Sequence, residues 1–185
     1  MRLLLALCAV TLLAAGCGET NDDFTGTNIM QRTVRTDTAE TLTLEAGDSL
    51  TIPAGTFDEN TVVVFADVFT GTDATPANFP TATKAAADLL AAVVINTPVD
   101  RTFHENVPLT FDILEEGETR IPSALVAGTQ YIVYRFDFDG LAWAPWGTTV
   151  ATVSADGHSA TTTLPTDEFT GFVGSLALFA GQTAE

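Results

Sequence analysis

From Thr41 onward the sequence is a succession of short segments in which apolar residues recur at every second position, with Gly, Asp and Pro between them. A strand sends successive side chains to opposite faces, so this period of two demands sheets with one face buried and one in solvent. In "VPLTFDI", Val107, Leu109, Phe111 and Ile113 point one way while Thr110 and Asp112 point the other. "TLTLEAGDSLTIPAG" places Leu42, Leu44, Leu50 and Ile52 on one face, with Gly47 and Asp48 at the turn between two strands. "TVVVFADVF", Thr61 to Phe69, is β-branched and aromatic on both faces, which fits a central strand.

Two further stretches read as hairpins. In "QYIVYRFDFDGLAWAPW" the pair Asp139–Gly140 suits a type I′ turn, and in "TTVATVSADGHSATTTL" Asp156–Gly157 repeats the device. "TGFVGSLALFAG" supplies a last buried strand. The one helical candidate is "TATKAAADLLAA", Thr81 to Ala92, on the propensity of alanine and a cap at Thr81 after Pro80. Eight to ten strands so spaced predict an all-β antiparallel β-sandwich over residues 39–185, with one short helix near 81–92.

The chain has 185 residues, 46% of them hydrophobic, and a formal charge of −17. A chain this apolar buries a core despite its acidity. A domain of roughly 150 residues hides about 68–70% of its unfolded surface, enough to stand without cross-links. The 24 acidic residues face only 7 basic ones, and Lys84 is the one lysine. Such a chain has no basic stripe with which to release counterions from phosphates, so nucleic acid is excluded as a partner. The same field repels anionic headgroups, which leaves covalent anchoring as the route to a membrane.

The start of the chain provides that route. Met1 and Arg2 precede the apolar run "LLLALCAVTLLAA", Leu3 to Ala15. The run reads as a secretory signal, too short for a bilayer core of about 30 Å that needs ~20 apolar residues. The following Ala14, Ala15, Gly16 and Cys17 resemble the lipobox of bacterial lipoproteins, although Ala14 stands where that pattern prefers Leu. The resemblance implies a signal peptide over 1–16, acylation of Cys17 and attachment to a lipid bilayer. An ordinary signal peptide that leaves a free thiol is the other reading, but an exposed thiol in an oxidising compartment is a liability. The only other cysteine, Cys8, lies inside the signal run, so no intramolecular disulfide is expected once that run is removed. Gly18 stands where a retention aspartate would resemble an inner-membrane signal, so the outer membrane or cell surface is the expected address. Residues 17–38 read as a flexible polar tether, in which Asp22 and Asp23 are solvated charges.

The order "LTIPAGTFDENTVVVF", "FHENVPLTFDI", "YIVYRFDFDGLAWAPW" and a Phe-led closing strand is similar to that of ZU5-like, immunoglobulin-like β-sandwich domains of bacterial surface proteins. The resemblance covers most of Thr41 to Phe179 and rests on folding motifs. Some members of that wider family cleave themselves at His-Phe-Ser. Here His158 is followed directly by Ser159, which leaves that activity unsupported.

Catalytic signatures are sparse. No serine sits in a Gly-x-Ser-x-Gly elbow, and there is no His-Glu-x-x-His, Cys-x-x-Cys or phosphate-cradling glycine loop. His104 and His158 are the only candidates for a neutral-pH base, and both read as surface residues beside turns. Asp137 and Asp139 share a strand face and form a candidate pair for a hard cation, with Glu115, Glu116 and Glu118 as a second acidic group. Neither has the spacing of a full calcium loop, and both read first as solvated turn charges.

In "LAWAPW" the alternation puts Trp143 on one face and Trp146 on the other, with Pro145 marking an edge or bulge. Trp143 is expected in the core, and Trp146 is the candidate for an exposed platform. The sequence thus predicts a non-catalytic, cofactor-free envelope module with a structural or protein-interaction role. The alternative is a carbohydrate- or calcium-binding surface module using Trp146, Trp143 and nearby carboxylates, with an envelope hydrolase third.

Overall fold

The computed structural model of the protein describes residues 24–25, 29–67, 89–97, 101–113, 125–137, 142–166 and 174–184. It is all-β and antiparallel, as the period of two predicts. The strands are β1 (Phe24–Thr25), β2 (Ile29–Val34), β3 (Glu40–Thr43), β4 (Ser49–Ile52), β5 (Thr61–Asp67), β6 (Leu89–Asn96), β7 (Val107–Asp112), β8 (Gln130–Asp137), β9 (Ala142–Val153), β10 (Ser159–Leu164) and β11 (Gly174–Phe179). Ten of these have four residues or more, and β1 has two.

Hydrogen bonds join all the strands into one sheet, in the order β1-β2-β5-β6-β11-β8-β9-β10-β7-β4-β3. The sheet folds on itself. β2 approaches β3 and β6 approaches β7 without pairing, and strands from both halves send side chains into one apolar core. β9 is the corner. Its 12 residues pair with β8 along both ends and pass to β10 at Thr152 and Val153.

The register between β8 and β9 breaks at that corner. Ile132 faces Val150 but Tyr134 faces Pro145, so β9 carries residues 146–149 as a bulge, with Gly147 at φ 54°. A bulge bends its strand and re-aims the side chains on it. The inward parity changes accordingly, from even-numbered Trp146 at the start of the bulge to odd-numbered Ala151 and Val153 after it.

Each alternating segment buries the face that its sequence marks. On β7, Val107, Leu109 and Phe111 are fully buried while Pro108 is exposed, and on β10 Ala160, Thr162 and Leu164 lie inside while Thr161 and Thr163 lie outside. Phe65, Phe103 and Phe111 are the largest fully enclosed side chains. At roughly 1.5–3 kcal/mol for each such ring, a core of this kind accounts for a fold whose described residues include no cysteine. The outward face of the β3, β4, β7 and β10 half is rich in threonine: Thr41 meets Thr51, and Thr110 meets Thr161, each pair with hydroxyl oxygens 3.2 Å apart.

Three expectations need correction. Leu89 to Ala92 belong to strand β6 and not to a helix, and residues 81–88 lie outside those described. The run "LLAAVVIN" is buried on both faces between β5 and β11, and that sheet environment overrides the helical preference of its alanines. The sheet also begins before residue 38: β2 pairs along its length with β5 and buries Met30 and Val34, so part of the expected tether is structural.

The β9–β10 turn is the third. The Gly157 amide donates to the Ser154 carbonyl at 3.1 Å, which puts Ala155 and Asp156 at the centre, one residue earlier than a type I′ turn on Asp156–Gly157. The β8–β9 hairpin is present, with Asp137 opposite Ala142, although Asp139 and Gly140 are outside the described residues.

Candidate functional site

The two tryptophans take opposite sides of β9, as alternation predicts, and both are buried: Trp143 as expected, Trp146 against the expectation of an exposed platform. Trp146 enters the main core and is 7% exposed. Trp143, 5% exposed, sits on the other face in a second apolar cluster with Leu89, Ala92, Tyr134, Phe136, Ala177 and Phe179. Its ring meets Phe136 edge to face at 5.4 Å and Phe179 at 5.7 Å, and Phe179 meets Tyr134 at 5.2 Å. These are favourable aromatic geometries. Neither indole is an exposed platform. Alternation alone sets Trp146 opposite Trp143, and the bulge that begins at Trp146 shifts the inward parity only for the residues after it.

The histidines stand on different turns. His104, just before β7, has its Nε2 3.1 Å from Asp58 Oδ2, with both side chains largely exposed, while its amide donates to the Thr56 carbonyl. The neighbouring Arg101 pairs with Glu59. These contacts fasten the loop after β4 to the approach to β7, and they resemble surface bracing more than a catalytic base.

His158 lies in the β9–β10 turn, where the Asp156 carboxylate accepts from the Ser154 hydroxyl and from the His158 amide. The Ser154 hydroxyl is the largest of the influences that hold the Asp156 carboxyl below its ordinary value, with the His158 amide next. The pattern is a self-capped turn.

Of the acidic candidates, Asp137 ends β8 and is exposed, while Asp139, Glu115, Glu116 and Glu118 lie outside the described residues. Among the described residues, no group of three or more His, Cys, Asp or Glu side chains is arranged to hold a metal ion, and no helix is long and apolar enough to cross a membrane. Cys17 lies outside the described residues.

The residue that pattern reading passed over is Asp48. It follows the turn closed by Gly47 N–H to Leu44 O (3.1 Å) and Leu44 N–H to Asp48 O (2.9 Å), and it is only 3% exposed. Its Oδ1 accepts the Asp112 amide at 2.9 Å, which continues the β4–β7 ladder one step beyond Ser49 and Thr110. Burial pushes its carboxyl up to about 7; the Asp112 amide opposes the shift, and the charges of Asp67 and Asp112 add to it. A sequence signal was present: Asp48 shares the parity of Leu50 and Ile52 and so belongs to the core face.

Comparison with protein-family models and with curated proteins finds no match to this chain. The protein is all-β and antiparallel, and the buried aromatic side chains among its described residues serve packing.

Proposed function

We propose that this protein is an exported, lipid-anchored β-sandwich of the cell envelope, acting as a structural or protein-interaction module and not as a catalyst. The observation that carries the reading is the apolar run Leu3 to Ala15, which ends in Ala14 and Ala15 and leads directly into Gly16 and Cys17, joining an export signal to an acylation site. Two acyl signals give stable attachment where one is marginal. The similarity of Thr41 to Phe179 to ZU5-like surface domains supports the same address.

The arrangement of the described residues supports a non-catalytic role. His104 and His158 each serve a different turn, and each has an aspartate as its neighbour. The carbohydrate-binding alternative rested on an exposed Trp146, and that ring is in the core. Cross-linking of the anchored protein in its native envelope, followed by identification of neighbours, tests the reading. A reproducible envelope neighbour is the expected result, and turnover on a broad hydrolase substrate panel overturns the non-catalytic claim.

A further inference from the structure

The β3–β4 hairpin is held to β7 by few main-chain rungs. Ser49 faces Thr110 and Leu50 faces Leu109, and beyond them the ladder continues through a side chain, the Asp48 carboxyl on the Asp112 amide. A carboxyl group is a conditional acceptor there. Neutral, it fits a buried position; ionised, it is a charge removed from water and set beside like charges.

The elements around it sharpen the condition. β7 contributes Asp112, whose Oδ1 comes within 2.9 Å of where a Cβ on Gly47 would stand, so the second carboxyl lies against the turn itself. β5 contributes Asp67, which also acts on Asp48. Both charged groups that act on Asp48 from neighbouring strands are therefore acidic, in a chain whose net charge is −17.

We propose that Asp48 is a proton-operated latch: protonated, it closes the β3–β4 hairpin onto β7 at the Asp112 amide, and its ionisation in the field of Asp112 and Asp67 releases that hairpin. β3 is the last strand of the sheet, so release starts at an edge; it also uncovers Leu42, Leu44, Leu50 and Ile52 of the main core, so the open form is a minor population that ionisation enlarges. The latch is independent of the anchoring reading and concerns any medium that passes from acidic to neutral.

The hairpin opens more readily as pH rises, because the open form loses the Asp48 proton near the ordinary carboxylate value and the closed form keeps it to about 7. The open population therefore grows about tenfold per pH unit between roughly pH 4 and 7 and levels off above. Amide hydrogen exchange on the full-length protein in detergent tests this at the Asp112 amide, with rates corrected for intrinsic base catalysis using an unstructured peptide of the same sequence. The expected result is protection that falls about tenfold per pH unit from pH 5 to 7 in the wild type and stays constant in Asp48→Asn, whose amide oxygen keeps the hydrogen bond. Equal pH slopes in the two proteins overturn the latch. Should Asp48→Asn fail to fold, carbon-13 titration of the Asp48 carboxyl in the unaltered protein decides: a midpoint near neutrality supports the proposal, and one in the ordinary carboxylate range contradicts it.

Discussion

Trp143 and Trp146 stand three residues apart on β9 yet occupy different apolar clusters on opposite faces of the sheet, Trp146 in the main core and Trp143 with Phe136 and Phe179. Removing a buried large aromatic costs the transfer of its surface and leaves a cavity. Trp146→Ala is therefore expected to destabilise the fold by about 3–5 kcal/mol, measured by denaturant unfolding. Trp146→Phe keeps most of the volume and loses less. A change within 0.5 kcal/mol for Trp146→Ala contradicts the core placement.

Indole accessibility gives a second test of that placement. With both rings buried, native fluorescence is expected at the short wavelengths of apolar surroundings, with weak acrylamide quenching and no response to glycans or calcium. Quenching as strong as in the unfolded chain contradicts it.

The two turns that flank β4 allow a comparison of two glycines. Gly47 (φ 115°) and Gly55 (φ 82°) both have backbone conformations that suit glycine, but an added Cβ meets Asp112 Oδ1 at 2.9 Å at Gly47 and nothing within 4 Å at Gly55. Gly55→Ala is expected to cost about 1 kcal/mol through backbone strain, and Gly47→Ala more, since contact is added to strain. Thermal unfolding of the two variants checks the order, and equal losses show that Asp112 moves aside freely.

The raised Asp48 value also sets a direction for overall stability. In the folded state the carboxyl holds its proton up to about pH 7, whereas the unfolded chain releases it near the ordinary 3.8. Folding at this group is therefore unpenalised below about pH 4 and loses stability as pH rises towards 7, with a full cost on the order of 4 kcal/mol above it. Asp48→Asn is expected to match the wild type near pH 4 and to unfold at higher temperature at pH 8. The reverse order at pH 8 contradicts the buried carboxyl.

Much of this architecture was legible because a period of two is a direct consequence of strand geometry. Val107, Leu109 and Phe111, and likewise Leu42, Leu50 and Ile52, lie where alternation puts them. The errors fall where another interaction overrides the local signal. Leu89 to Ala92 carry helical propensity but are flanked by strands that bury both faces. Trp146 was expected outside because it lies opposite Trp143, but both faces of β9 are covered there, so both rings are buried. Asp48 was read as a turn residue for its type, while its parity with Leu50 and Ile52 carried the better information. The edge of the sheet at β2 was hidden because "IMQRTV" buries only Met30 and Val34, four residues apart. None of these patterns names a partner, since they report burial and turns.

The central claim, a protein tied to a membrane through acylated Cys17, is tested most directly by metabolic lipid labelling of the wild type and Cys17→Ser, followed by membrane fractionation. Label on the wild-type protein, none on the variant, and release of the variant from the membrane fraction is the predicted result. A variant that stays in the membrane fraction, or a wild type that takes up no label, contradicts the account.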